Sequence, residues 1–201
     1  MNSIKNLLSK VKKKKARDYI LYSAIIAAGL FLDQLTKWLV EKFLAPLYPE
    51  SVVIIKNVVK LTYAENTGAA FGMMKDSRWI FMVTSTLLIL ALAAYLYLGF
   101  AENKLYEIST AMIISGGIGN MIDRIYFNGI LPRNTEVKVV RDFIDFTDIG
   151  FPAIFNGADS FVCVGAGLLV LALILDIVKE SKAKKAETAS SKDNSTDGDQ
   201  E

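Results

Sequence analysis

The chain contains no histidine. That absence removes every Ser-His-Asp or Cys-His triad, every H-E-x-x-H zinc protease and any histidine-ligated haem. Its single cysteine, Cys163, excludes a disulfide within the chain and any cysteine-rich zinc or iron–sulfur centre. No metal site and no cofactor is expected, so hydrolytic chemistry has to rest on carboxylates, hydroxyls or lysines. Charged residues are only 22% of the 201 positions and hydrophobic ones 52%, a composition that is neither disordered nor collagen-like. The length suits one domain of ordinary size, and no internal repeat is visible.

What the chain has in plenty is long apolar runs, at about 19–40, 79–100, 106–126 and 155–178. Each reaches about 20 residues, enough for a helix rising ~1.5 Å per residue to cross a ~30 Å hydrocarbon core. Four such helices, apolar on nearly every face, would not find enough interior in a soluble protein of this size. The expected fold is therefore an all-α membrane protein of four transmembrane helices. The outer loop around 51–63 is rich in β-branched residues and reads as one or two short strands, followed by the turn-forming Asn66-Thr67-Gly68. A small β-rich loop domain on the outer membrane surface is the result.

Charge placement sets the orientation. The net charge of +2 hides a concentration of seven basic groups in residues 1–18: Lys5, Lys10, Lys12, Lys13, Lys14, Lys15 and Arg17. A basic run directly before an apolar span reads as a cytoplasmic anchor rather than a nucleic-acid arm, since no interleaved aromatics or groove-reading motif accompany it. Lys104 between spans two and three, and Lys179, Lys182, Lys184 and Lys185 after span four, lie on the same side. Both termini are thus expected to be cytoplasmic, with the loops at about 41–78 and 127–154 facing outward. A cleavable secretory signal is disfavoured, because the first apolar run continues past Ala27-Ala28-Gly29 to Phe31-Leu32. The chain then divides into a basic start (1–18), a four-helix unit (19–178) and a tail (179–201) without Leu, Ile, Val, Met or aromatic residues, expected to be disordered.

Ionisable residues in or beside membrane spans are functional candidates by default. Asp33 and Lys37 are four apart, on one helix face, and can pair. Span three ends in Gly116-Gly117-Ile118-Gly119-Asn120-Met121-Ile122-Asp123-Arg124. There Asn120 and Asp123 face the same way, Arg124 is placed to neutralise Asp123, and the glycines suit close helix approach. The second outer loop carries Asp142 and Asp145, and span four opens on Asn156-Gly157-Ala158-Asp159. Asp33, Asp123, Asp142 and Asp159 therefore share one depth near the outer leaflet. Two carboxylates sharing a proton in a low-dielectric pocket can act as base and acid on water and a peptide bond without histidine or metal. Cys163 and Ser160 are weaker nucleophile candidates: Cys163 reads as a packing residue, and Ser160 would need Lys37 as its base.

The blocks Asp33-Gln34-Leu35-Thr36-Lys37, Asn66-Thr67-Gly68-Ala69-Ala70-Phe71, Gly119–Arg124, Val140–Asp145 and Phe155–Ser160 closely resemble the bacterial lipoprotein signal peptidases, signal peptidase II. The resemblance implies an intramembrane aspartic endopeptidase of the inner membrane, with its active site toward the outer leaflet. It would remove the signal peptide from diacylglyceryl-modified prolipoproteins by cutting before the lipidated cysteine. Asp142 and Asp159 match the family's catalytic pair. Asp33, Lys37, Asn66, Gly68, Asn120, Asp123, Arg124, Asn156 and Ala158 match its supporting or substrate-contacting positions. The implied partners are prolipoprotein substrates, membrane lipid and globomycin-like inhibitors, with no nucleic acid. One departure is Arg141, where the family usually has an apolar residue; on an extended segment it points away from Asp142. The residues taken alone leave a second reading, a small proton- or cation-coupled transporter, although its acids would then be expected near the membrane midplane.

Overall fold

The computed structural model describes residues 14–68, 78–101, 103–131 and 137–196. Most of the basic run, Ala69, Ala70 and Phe71 of the second block, and positions 197–201 lie outside the described residues. In chain order the elements are α1 (Ala16–Phe43), β1 (Ser51–Ile55), β2 (Val59–Asn66), α2 (Arg78–Tyr97), α3 (Lys104–Tyr126), β3 (Val140–Asp145), β4 (Ile154–Phe155) and α4 (Gly157–Thr196). The protein is thus mostly helical, with one small antiparallel sheet in the order β1-β2-β3-β4.

Among the described residues, α1 and α4 are long and apolar enough to cross a bilayer, over Ala16–Leu47 and Gly157–Lys184. The apolar part of α2 is shorter, Met82–Tyr97. Helix α3 carries Lys104, Glu107, Asp123 and Arg124 within its 23 residues. It is also the central helix, packing against α4, α1 and α2. Without a hydrophobic drive between helices in lipid, such packing depends on close approach, and the glycines of α3 provide it. A Cβ on Gly116 would meet the Ala158 carbonyl oxygen at 2.2 Å, and one on Gly119 would meet Asp33 Oδ2 at 2.6 Å. The α3 glycines therefore seat α4 and α1 against the polar end of the bundle.

The expected strands form as β1 and β2, a hairpin whose turn places Asn57 at a positive φ of 59°. Strand β3 comes from the second outer loop and pairs antiparallel with β2, setting Ala64 opposite Asp142 and Asn66 opposite Val140. One face of this sheet rests on the end of α1 through Tyr63 and Phe143, which cluster with Val40, with Leu44 just after the helix and with Leu131 of the second outer loop. The sheet and the start of α4 lie at one end of the bundle. At the opposite end, Lys14 pairs with Glu107 and Lys104 bonds Asp18 at 2.6 Å, tying the start of α1 to the start of α3.

The tail expected to be disordered beyond 178 instead continues α4 as helix to Thr196. Burial is not the reason, because the tail has no large apolar side chain to bury. Ala, Lys and Glu are strong helix formers, Glu180 stands four residues before Lys184, and a helix already begun avoids the nucleation penalty.

Candidate active site

Strand alternation divides β3 between two surroundings. Val140 and Asp142 face a cavity of about 590 Å³ that opens between the sheet and helices α2, α3 and α4. Arg141 and Phe143 face the opposite way. The cavity is polar where Asn66, Asn120, Arg124, Asp142 and Asp159 reach it, and apolar along Leu88, Ile89, Leu92, Ile113 and Val162. It suits a ligand with a polar group at one end and a hydrocarbon part at the other.

Asp142 is 3% exposed. Its Oδ1 accepts from Asn156 Nδ2 at 2.6 Å and its Oδ2 from Asn66 Nδ2 at 3.1 Å. Both amides are oriented by backbone. Asn66 Oδ1 accepts the Gly68 N–H at 3.0 Å, and Asn156 Oδ1 accepts the Asp159 N–H at 3.0 Å. Each therefore presents its NH2 group to Asp142. Asn156 is also the N-cap of α4, and Asp159 completes a reciprocal capping box by accepting the Asn156 N–H at Oδ2, 3.1 Å. Asn120 Nδ2 donates to Asp159 Oδ1 at 2.7 Å, while Asn120 Oδ1 accepts from Asn156 at 3.0 Å. One amide, Asn156, thus links the two aspartates. Burial, and then the negative charge of Asp159, push the Asp142 carboxyl up to about 7, against the opposing donors of Asn66 and Asn156.

The neighbouring acids are used differently. Lys37 Nζ, fully buried, lies 2.9 Å from Asp33 Oδ2, 3.6 Å from Asp123 Oδ2 and 3.2 Å from Asn120 Oδ1. Asp33 Oδ1 accepts the Ala158 N–H at 2.8 Å, which fixes the first turn of α4. Asp145 caps the Thr147 turn and accepts from Thr62; although burial opposes it, these donors hold its carboxyl below the ordinary range. Among the described residues, the ion pairs take up Asp33, Asp123 and Asp145 but neither Asp142 nor Asp159.

The structure thus gathers every site residue expected from the sequence into one connected region, with two corrections. Asp123 is neutralised not by Arg124 but by Arg141, whose Nη2 reaches Asp123 Oδ1 at 2.8 Å. Arg124 instead lines the cavity and donates to the Asn120 carbonyl at 3.2 Å. The arginine adjacent in sequence lies on the cavity side of α3, whereas the one from β3 enters from behind. Cys163 is exposed on the cavity wall rather than packed away. Ser160 gives its hydroxyl to the Asn156 carbonyl at 3.1 Å, so it makes no Ser–Lys pair with the buried Lys37. Gln34 and Glu41 were not anticipated as site residues. Gln34 donates to Asp33 and Asp123 and accepts from Arg141, and Glu41 pairs with Arg141. The polar stripe Gln34, Lys37, Glu41 at helical spacing is the signal that points to them.

Residues 25–175 match the sequence model of the family described as signal peptidase (SPase) II. The chain is 43% identical over 147 residues to a lipoprotein signal peptidase of Caldanaerobacter subterraneus subsp. tengcongensis, covering 72% of this chain and 90% of that one. It is 36% identical over 170 residues to a lipoprotein signal peptidase of Halalkalibacterium halodurans, covering 85% of this chain and 100% of the relative. The fold is similar to a solved structure described as a bacterial membrane enzyme determined by the in meso method at 2.3 Å resolution. That match has a TM-score of 0.64 and 25% identity, over 78% of this chain and 89% of the other.

Proposed function

The chain belongs to the signal peptidase II family of peptidases, and on that premise we propose that it is a four-span aspartic endopeptidase with Asp142 and Asp159 as its catalytic pair. Its substrates are diacylglyceryl-modified prolipoproteins, cut immediately before the lipidated cysteine. The observation that carries this reading is the position of Asp142 and Asp159. They are amide-held carboxylates facing one cavity, while Asp33, Asp123 and Asp145 are each engaged by a cation. At neutral pH the pair holds one proton between its members. The ionised carboxylate takes a proton from water as the water oxygen attacks the scissile carbonyl carbon. The protonated one gives its proton to the carbonyl oxygen. Collapse of the resulting diol then passes a proton to the departing amine. Asn66, Asn120, Asn156 and the buried Asp33–Lys37 pair keep these two groups in place. Arg124 borders the substrate in the cavity, while Gly68 and Ala158 support the site through their N–H bonds to Asn66 and Asp33.

The membrane arrangement follows from the same ends of the bundle. The four-helix unit at 19–178 spans the inner membrane, with the basic start and the tail cytoplasmic and the sheet at the outer leaflet. Lys14 and the α2–α3 connection meeting at the end away from the sheet supports this orientation. The apolar wall of the cavity then accepts the lipid, and membrane lipid borders α1 and α4.

Lipid placement gives the test. Burying even four methylenes at ~0.8 kcal/mol each is worth about 3 kcal/mol, or roughly a hundredfold in kcat/KM. The purified protein should therefore cleave a lipidated prolipoprotein about a hundredfold more efficiently than its unlipidated form. Equal efficiency would remove the lipid from the mechanism. The pH dependence is a second check. Asp142 holds its proton below about 7 and loses it above, so kcat/KM, which reports the free enzyme, should fall as pH rises through that value. A profile flat from about pH 6 to 9 would contradict the shared proton.

A further inference from the structure

We propose that Arg141 is a positioning residue for this site: it clamps the strand that carries Asp142 to α1 and α3 from behind, and so sets the approach of Asp142 to Asp159. The proposal rests on the assignment of those two aspartates. Arg141 is 7% exposed, and all three of its guanidinium nitrogens donate. Nε reaches Asp123 Oδ2 at 3.1 Å, Nη2 reaches Asp123 Oδ1 at 2.8 Å and Gln34 Oε1 at 3.2 Å, and Nη1 reaches Glu41 Oε2 at 2.9 Å. The Arg141 backbone N–H adds a bond to Asp123 Oδ2 at 3.0 Å, and the guanidinium lies 4.1 Å from the Phe127 ring centroid. One side chain therefore holds two turns of α1, the end of α3 and the residue that follows α3. A planar fork with five donors can do this, and an ammonium cannot.

The contacts continue to the other aspartate. Asp123 lies 3.6 Å from Lys37, Lys37 2.9 Å from Asp33, and Asp33 accepts the N–H of Ala158, the residue before Asp159. Arginine, aspartate, lysine, aspartate and a helix N-terminus thus alternate in sign from β3 to α4 behind the cavity. Each charge in this chain has low solvent access, so each is held by its neighbours rather than by water. Loss of the Arg141 side chain leaves β3 held behind Asp142 by its pairing with β2 and one backbone N–H to Asp123, without the ties to Gln34 and Glu41 of α1. A misplacement of about 1 Å can lower turnover about a hundredfold.

The test measures kcat and KM on a lipidated prolipoprotein for Arg141→Met, Arg141→Lys and the double variant Arg141→Met/Glu41→Gln, with melting temperature recorded to count folded enzyme. The double variant removes the carboxylate that Arg141→Met would leave unpaired. Expected is a kcat about 10- to 100-fold lower for Arg141→Met, with KM within about threefold, an intermediate kcat for Arg141→Lys, and no recovery in the double variant. A kcat within about twofold of the original in any folded variant, or a loss confined to KM, would overturn the proposal. Full recovery in the double variant would do the same, by showing that Arg141 only neutralises Glu41. Asp142→Asn is assayed alongside. If that variant cleaves normally, the aspartate assignment fails; if it is inactive while Arg141→Met turns over normally, the clamp alone fails.

Discussion

Asp142→Asn and Asp159→Asn are each expected to lower kcat by about a thousandfold or more while leaving the protein folded, because in the proposed mechanism each removes one of the two groups that exchange a proton in the same step. The neighbours make the two substitutions unequal in stability. At 142 both carboxylate oxygens meet NH2 groups, from Asn156 and Asn66. An asparagine there must turn its own NH2 against one of them. Neither neighbour can flip without breaking its bond to the Asp159 or Gly68 N–H. This mismatch costs Asp142→Asn about 1–3 kcal/mol, offset in part because the amide also removes a carboxylate whose ionised form burial and Asp159 disfavour. At 159 one oxygen accepts a backbone N–H and the other the Asn120 amide. An asparagine there meets the same conflict, since Asn120 cannot flip without losing Lys37 and Asn156, but Asp159 is only half-buried, so water can take the displaced bond and a smaller loss is expected. Cleavage of a lipidated prolipoprotein, followed alongside thermal melting, separates the two effects. Near-normal cleavage by either variant would end the assignment, and an inactive Asp123→Asn beside an active Asp142→Asn would move it to Asp123.

Lys37→Met is expected to cause the largest loss of stability of any single substitution considered, about 3–5 kcal/mol. Lys37 is fully buried between Asp33 and Asp123 and also holds Asn120 Oδ1. Methionine fills the volume of the side chain and supplies no charge, so two carboxylates remain in low dielectric with half their compensation gone. The damage reaches the site through Asp33, which fixes Ala158 at the start of α4. Lys37→Met/Asp33→Asn should recover part of the lost stability, since an asparagine oxygen still accepts the Ala158 N–H and no orphaned charge is left at 33. Thermal melting of the two variants in detergent is the measurement. An unchanged melting temperature for Lys37→Met, or a double variant less stable than the single, would show that the buried charge is not what holds α1 to α3 and α4.

The sequence by itself determined the features that depend on local pattern. Apolar run length marked the four helices, β-branched density marked the β1–β2 region, and i,i+4 spacing placed Lys37 on Asp33. The missing histidine narrowed any hydrolytic chemistry to carboxylates, hydroxyls or lysines, and the five blocks in register pointed to the family. Pairing across long separations was beyond its reach. Asn66 meets Asp142 only because β2 and β3 pair across 76 positions, and Asn156 joins both aspartates only because it caps α4 at that spot. The partner of Asp123 was misread for the same reason. Adjacency in sequence favoured Arg124, but strand alternation turns Arg141 away from Asp142 and into the back of α3. The tail shows the converse, since α4 runs on as helix to Thr196 beyond the apolar part of the chain, as helix propensity and the helix it extends allow. Periodicity and composition act over a few residues and can be read from the chain. Which buried charge finds which partner is decided by packing, because in a low-dielectric interior every carboxylate takes the donor that the fold brings to it.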